Sequence, residues 1–339
     1  MLLQENKSLK LLNTFGINAF AKYFVEINTI DEAQAFFAER KFDPEKKLIL
    51  GGGSNVLFTG NFDGIVIKNS INGIEKIQED ENHIWLKAHA GTEWHQLVLY
   101  AVENNWGGIE NLSLIPGLCG AAPMQNIGAY GVELKDVFDS LEALNLETNQ
   151  IQTFSHTDCE FGYRESIFKN RYKNKFLILS ITLKLNKKPI YNISYGAIQT
   201  TLEYMGIMEP TIKSISDAVI QIRSSKLPNP AELGNAGSFF KNPEIPKYQY
   251  EKLQLQYPLL PSYKGSIPNH IKIPAGWLIE QCGWKGKVVG NTGSHKFQAL
   301  VLVNYGNATG AEIYKLAQDI IASVKDKFGV VLSPEVNLV

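Results

Sequence analysis

At 339 residues, 44% of them apolar, the chain exceeds one ordinary hydrophobic core, so two or three globular domains are expected. Its 33 lysines and arginines nearly balance 34 acids, which excludes a global field for nucleic acid or anionic lipid and leaves any anionic ligand to local charge. No apolar run approaches membrane-spanning length, no basic flank precedes an apolar leader, and Cys119, Cys159 and Cys282 form no CxxC pair, so a cytoplasmic protein with reduced thiols and no disulfide is expected.

In chain order, residues 22–27 read as a strand and 32–37 as a short amphipathic helix capped by Asp31. A buried-type strand at 47–50 runs into Gly51, Gly52, Gly53, Ser54 and Asn55, after which Val56 and its neighbours, then 64–67, resume extended structure. Beyond about residue 70 come a strand at 84–88 and a helix from about Thr92 with Trp94, Leu97, Val98, Ala101 and Val102 on one face. Residues 111–131, dense in glycine, small residues and side-chain amides, read as a backbone cradle; strands follow at 139–146 and 175–185. A helix around 217–223 stops at Pro228 and Pro230, marking a domain boundary. The last stretch holds a turn at 234–243 that leads Ser238 into Phe239 and Phe240, a helix near 275–279 and a strand at 299–303. A closing helix follows, with a Thr309/Glu312 capping box and a stop at Gly329. Residues 330–336 read as a final strand that brings Glu335 back to an earlier domain. The expected domains are 1–69, 70–225 and 226–329, with 330–339 returning.

Several patterns point to chemistry. Three glycines before Ser54 and Asn55 leave backbone N–H groups at a strand end, as a pyrophosphate requires; a plain tight turn is the alternative. The stretch is neither a dinucleotide fingerprint nor a P-loop, since no Lys-Ser/Thr follows and no helix opens. The second cradle favours the ligand reading, because turns alone seldom need two such segments. Arg164, beside Tyr163, suits a planar carboxylate, although an Arg164–Glu165 surface pair would look the same in sequence. Tyr195, Arg223 and Lys226 suit phosphate oxygens or a solvated domain edge. Gly234 and Gly237 allow close approach to Ser238, with a simple entry into a strand as the alternative. His89, Glu93 and His95 lack zinc-site spacing, so no metal is expected, and Ser238 lacks a nucleophile-elbow sequence. A serine without a base points to proton donation or binding.

These motifs stand in a definite order. They are residues 51–57, Ile115-Pro116-Gly117, the run from Gln125 and Asn126 through Gly128 and Tyr130 to Gly131, Phe161-Gly162-Tyr163-Arg164, residues 234–243 and Pro334-Glu335-Val336. In that order, over nearly the whole length, the chain resembles the UDP-N-acetylenolpyruvoylglucosamine reductase family, and the Tyr195-bearing insertion resembles its longer subtype. The resemblance implies an α+β protein: an FAD-binding fold of two subdomains, of the PCMH/vanillyl-alcohol-oxidase-like type, plus a third α/β substrate-binding domain. It implies noncovalent FAD on Gly51, Gly52, Gly53, Ser54, Asn55, Val56, Ile115, Pro116, Gly117, Gln125, Asn126, Gly128 and Arg223. Gly52 stands where the family often has an acid, and Ala121 and Ala122 replace hydroxyl residues, which leaves those contacts to backbone donors. Arg164, Ser238 and Glu335 match the catalytic set, and Tyr130, Tyr163, Tyr195, Lys226, Asn242 and Gln298 the substrate contacts. Reduction of UDP-N-acetylglucosamine enolpyruvate by NADPH is the implied reaction, in a monomer without nucleic-acid or membrane partners. An FAD oxidase of the same broad fold and a noncatalytic nucleotide-binding module are the alternatives.

Overall fold

In the computed structural model, which describes residues 1–339, the central N-terminal strands form on runs of buried apolar residues, whereas the edge strand at residues 4–8 is wholly polar. β1 (Gln4–Ser8), β2 (Phe20–Ile27), α1 (Ile30–Ala38) and β3 (Lys47–Leu50) precede a short β4 (Val56–Leu57) and β5 (Phe62–Asn69). The first sheet has the order β1-β2-β5-β3, with β3 and β5 parallel. α1 buries Ala33, Phe36 and Phe37 in one cluster with Val25, Ile27, Ile65 and Ile67. Its cap is Thr29, whose hydroxyl accepts the Glu32 amide proton, and not Asp31, which lies in the first helical turn. Thr29 has the extended backbone that a cap needs, whereas an acid one residue inside still profits from the positive helix end.

The second sheet is antiparallel. β6 (Ile74–Glu79) and β7 (His83–His89) lead to α2 (Trp94–Glu103); a two-residue hairpin of β8 (Gly128–Ala129) and β9 (Val132–Glu133) follows, then β10 (Phe138–Asn145), β11 (Ile151–Ser155) and β12 (Phe176–Asn186). The order is β11-β10-β12-β7-β6. Central β12 is apolar almost throughout because its two faces serve two cores. Leu177 and Leu179 join the cluster under α1, while Ile181, Leu183 and Leu185 pack with Trp94 and Leu97 of α2. α3 (Gly196–Tyr204) and α4 (Ile212–Lys226) pack through Ile198 and Leu202 against Ile215, Val219 and Ile222.

The remaining elements are β13 (Gly234–Ser238), β14 (Glu244–Pro246), α5 (Lys247–Gln256), β15 (Tyr263–Lys264), β16 (His270–Lys272), α6 (Ala275–Gln281), β17 (Val288–Val289), β18 (Thr292–Ser294), β19 (Val301–Asn304), α7 (Gly310–Phe328) and β20 (Asn337–Leu338). They build a sheet of order β13-β19-β18-β17 and a smaller one of order β14-β16-β15. α7 opens on the Thr309/Glu312 capping box, buries Ile313, Leu316, Ile320 and Val324, and closes on Gly329 at φ +65°. Residues 330–336 are not the expected strand; they touch the sheet only through a Phe240–Pro334 bridge, and the strand forms at β20, parallel to β4. The bridge is made by the Glu335 and Lys241 amides, so proline is tolerated at its centre, where no amide proton is needed.

Contacts divide the chain into two units. One holds Met1–Lys7, Ala21–Gly52 and Asp63–Ser225; the other holds Ser8–Phe20, Gly53–Phe62 and Lys226–Val339. No helix is long and apolar enough to cross a membrane.

Candidate active site

In the first unit the two glycine-rich stretches meet. A Cβ added to Gly52 would lie 3.4 Å from the Gly117 Cα, and one on Gly51 would lie 3.7 Å from Leu118. At these distances an added Cβ would stand in ordinary van der Waals contact, so residues 51–52 and 117–118 form one continuous backbone surface.

The second cradle carries strain that its side chains sustain. Leu114, Asn126 and Tyr130 have φ of +57°, +44° and +50°, and Arg164, which binds the cradle, has +55°. Such values are uncommon outside glycine and cluster where a fixed geometry is needed. Buried Asn126 is held at three points: its amide donates to Glu133 Oε2 (3.1 Å) and the Gly162 carbonyl (3.0 Å), and its oxygen accepts from the Lys135 amide (3.0 Å). Tyr130 and Gly131, both at positive φ, form the β8–β9 turn, where Asn-Gly is the usual pair. Asn111 restrains this turn by donating to the Tyr130 carbonyl (3.0 Å) and to the Asn192 carbonyl (2.8 Å). Sequence reading passed over Asn111 and Asn192; a side-chain amide at a glycine-rich turn was the only available signal.

Arg164 is not merely a surface charge. Its Nη2 donates to the Gly128 carbonyl at 2.6 Å and its Nη1 to the Asn126 carbonyl at 3.4 Å, and its guanidinium lies 5.5 Å from the Tyr163 ring centre. Carbonyl acceptors orient a guanidinium without cancelling its charge. Arg223, on α4, donates from Nε to the Leu114 carbonyl (3.2 Å), and its charge acts on the Tyr130 phenol. Burial pushes the Tyr130 phenol above its ordinary pKa, and the Arg223 charge only partly opposes this, so the phenol stays a donor at neutral pH. The exposed Tyr195 ring meets Tyr130 edge-on, with centres 5.3 Å apart. Ile115 packs on the core of the second sheet, Pro116 is exposed, and Gln125 ends a single 3-10 turn.

In the second unit Ser238 ends a strand, β13, where a turn was expected. The ladder to β19 slips between Asn235 and Ser238, with Gly237 at φ +67°. Buried Asn235 sets the kink: its oxygen accepts from the Gly237 amide (2.9 Å) while its amide donates to the Pro228 (3.1 Å) and Leu233 (2.8 Å) carbonyls. A bulge of this kind re-aims the side chain that follows. Phe239 and Phe240, both fully buried, fix the strand beyond it.

Glu335 arrives beside this strand, its amide donating to the Phe239 carbonyl at 2.7 Å, and Lys241 donates in turn to Ser333 (2.9 Å). The Asn55 side chain donates to the Glu335 carbonyl (3.3 Å), and Asn337 donates to Asn55 through both its backbone (3.1 Å) and its side chain (3.0 Å). Val56 pairs with Asn337. Asn242 accepts from the Ala275 amide at the start of α6 (2.9 Å); a Cβ on the next residue, Gly276, would stand 3.3 Å from Gln298 Oε1. Lys226 is exposed, and its backbone hydrogen-bonds His295.

Gly53 allows a direct test. A Cβ there would lie 2.0 Å from the Leu12 carbonyl oxygen, and φ is +62°. Gly53→Ala is expected to destabilise the protein by roughly 2–5 kcal/mol, the sum of a left-handed alanine and an overpacked contact. Thermal melting of the apoprotein checks this, and an unchanged Tm would contradict it.

Two adjoining backbone cradles beside a partly buried, oriented arginine fit FAD, and the fold and site define a flavoprotein. The profile of an FAD binding domain matches residues 21–155, and that of the C-terminal domain of UDP-N-acetylenolpyruvoylglucosamine reductase matches 229–339. Reductases of that name from Flavobacterium johnsoniae and Amoebophilus asiaticus are 50% and 53% identical to the chain, over 100% and 99% of both sequences respectively. The solved UDP-N-acetylenolpyruvylglucosamine reductase of Thermus caldophilus has the same fold, with a TM-score of 0.67 over 99% of both chains at 21% identity. The chain belongs to the UDP-N-acetylenolpyruvoylglucosamine reductase family.

Proposed function

We propose that the protein reduces UDP-N-acetylglucosamine enolpyruvate to UDP-N-acetylmuramate, a peptidoglycan precursor, with NADPH as reductant and noncovalent FAD. Within a chain of this family, the observation that carries the reading is the bulged strand that aims Ser238 beside the Glu335 segment. The two sheets of residues 1–225 are assigned to FAD and residues 226–329 to the nucleotide substrate. Gly51, Gly52, Gly53, Ser54, Asn55 and Val56 would hold the cofactor together with Ile115, Pro116, Gly117, Gln125, Asn126, Gly128 and Arg223. Bound FAD supplies the hydride, received from NADPH, that adds to C3 of the enolpyruvyl group.

Negative charge then develops at C2 and spreads into the substrate carboxylate. Arg164 stabilises it with a guanidinium already oriented by two carbonyls, and Glu335 is assigned to the same developing charge by hydrogen bonding. Ser238 gives its hydroxyl proton to C2; an alcohol is a weak acid, but sufficient toward a carbanion, and water returns the proton. Tyr130, Tyr163, Tyr195, Lys226, Asn242 and Gln298 would bind the nucleotide sugar. The water-soluble nucleotide substrates assign the reaction to the cytoplasm.

Anaerobic titration tests this reading. NADPH should bleach the yellow protein, the enolpyruvyl substrate should restore the colour, and denaturation should release all flavin from the chain. A protein that never takes up FAD on reconstitution would overturn the proposal. Flavin retained after denaturation, or bleached flavin indifferent to the substrate, would favour an oxidase.

A further inference from the structure

We propose that His95 is a positioning residue for the flavin site, holding the strained Leu114 whose carbonyl fixes the Arg223 guanidinium. The proposal rests on the assignment of Arg223 to the flavin.

His95 lies in the first turn of α2, and its Nδ1 accepts the Leu114 amide proton at 3.0 Å. Leu114 sits at φ +57°, and its carbonyl accepts from Arg223 Nε at 3.2 Å. A branched side chain keeps a left-handed backbone only where its neighbours restrain it. His95 restrains one side of the residue and Arg223 the other. The preceding residue, buried Ser113, meets Ser216 Oγ at 2.8 Å, so α4 is tied to this loop at Ser216 and again two turns on at Arg223. The Arg223 charge in turn acts on the Tyr130 phenol. His95 is thus the remote anchor of a chain, His95–Leu114–Arg223, in which each member fixes the next.

Because Nδ1 accepts, the imidazole proton belongs on Nε2. Protonation at Nδ1 would replace the acceptor with a donor facing the Leu114 N–H. Burial, and then the Arg223 charge, hold the His95 pKa below its ordinary value, while Glu93 opposes them. The folded pKa is lowered, so the contact is intact above the ordinary histidine range and is lost as pH falls through the depressed value.

The experiment measures the FAD dissociation constant of the apoprotein and the visible spectrum of the bound flavin from about pH 8 to about pH 5. It compares wild type, His95→Leu, His95→Asn, Arg223→Gln and the His95→Leu/Arg223→Gln double variant. His95→Leu should weaken FAD binding about three- to tenfold, as expected for one hydrogen bond, and shift the spectrum toward that of Arg223→Gln. The double variant should match Arg223→Gln alone. His95→Asn keeps an acceptor near the Nδ1 position but does not titrate, so it should retain affinity and lose the acid-side weakening seen in wild type. A merely structural role would not flatten that pH profile.

Wild-type affinity and spectrum in His95→Leu, or additive effects in the double variant, would overturn the inference while leaving the Arg223 assignment in place. An unaltered Arg223→Gln would instead overturn the assignment itself, and the inference with it. If His95→Leu does not fold, His95→Asn decides: a flat acid limb supports the role and an unchanged one rejects it.

Discussion

Ser238→Ala should bleach with NADPH as fast as wild type and then regain its colour on substrate addition ~10²–10⁴-fold more slowly, the range for a lost general acid. In the proposed mechanism Ser238 has no task while the cofactor is being reduced; its proton is needed only once C2 carries charge. The substitution is a clean one structurally. The bulge is set by Asn235 and Gly237, and the strand beyond is fixed by two buried phenylalanines, none of which depends on the hydroxyl. Ser238→Cys keeps a proton to give and should lose less. Stopped-flow separates the two half-reactions. Equal slowing of both would indicate a damaged flavin site, and normal recolouring would assign the proton to another group.

Arg164→Ala should lower kcat and kcat/KM together by ~10²–10³, because it removes charge stabilisation that matters only after hydride has arrived. Alanine at φ +55° carries a backbone penalty of the same kind as arginine, so the comparison isolates the side chain. Arg164→Lys should rescue little. The guanidinium fork reaches the Gly128 and Asn126 carbonyls at once and still presents a planar face, which an ammonium cannot do. Glu335→Gln is expected to show a loss of the same type. A variant of either residue that raised KM alone would place it in ground-state binding.

Local signals carried the fold furthest. The α7 cap and stop were readable because Thr309, Glu312 and Gly329 act within a few residues of one another. β7 and β12 were readable from their apolar runs, whose positions match to within about a residue or two. Features set by distant partners were not. Residues 234–238 look like a turn until β19 supplies a ladder, and 330–336 look like a strand but find only a single bridge, to Phe240. The glycine cradles and Arg164 stood out by residue type. The restraints on the cradle, namely Asn111 on Tyr130 and His95 on Leu114, lie in single polar side chains with no spacing rule to mark them.

The unit that holds Ser238 is made from three separate passes of the chain, at 8–20, 53–62 and 226–339. The Asn55–Glu335 contact spans 280 residues of sequence. Closing so long a loop adds little to the entropic penalty, which grows only logarithmically, but non-local pairings are slow to find. Glu335 and the β20–β4 pair are therefore expected to lock late in each folding event, after the helices and hairpins of the chain have had time to form. Synthesis halted anywhere before residue 335 yields a polypeptide that can own every glycine of the cradles and still lack its carboxylate.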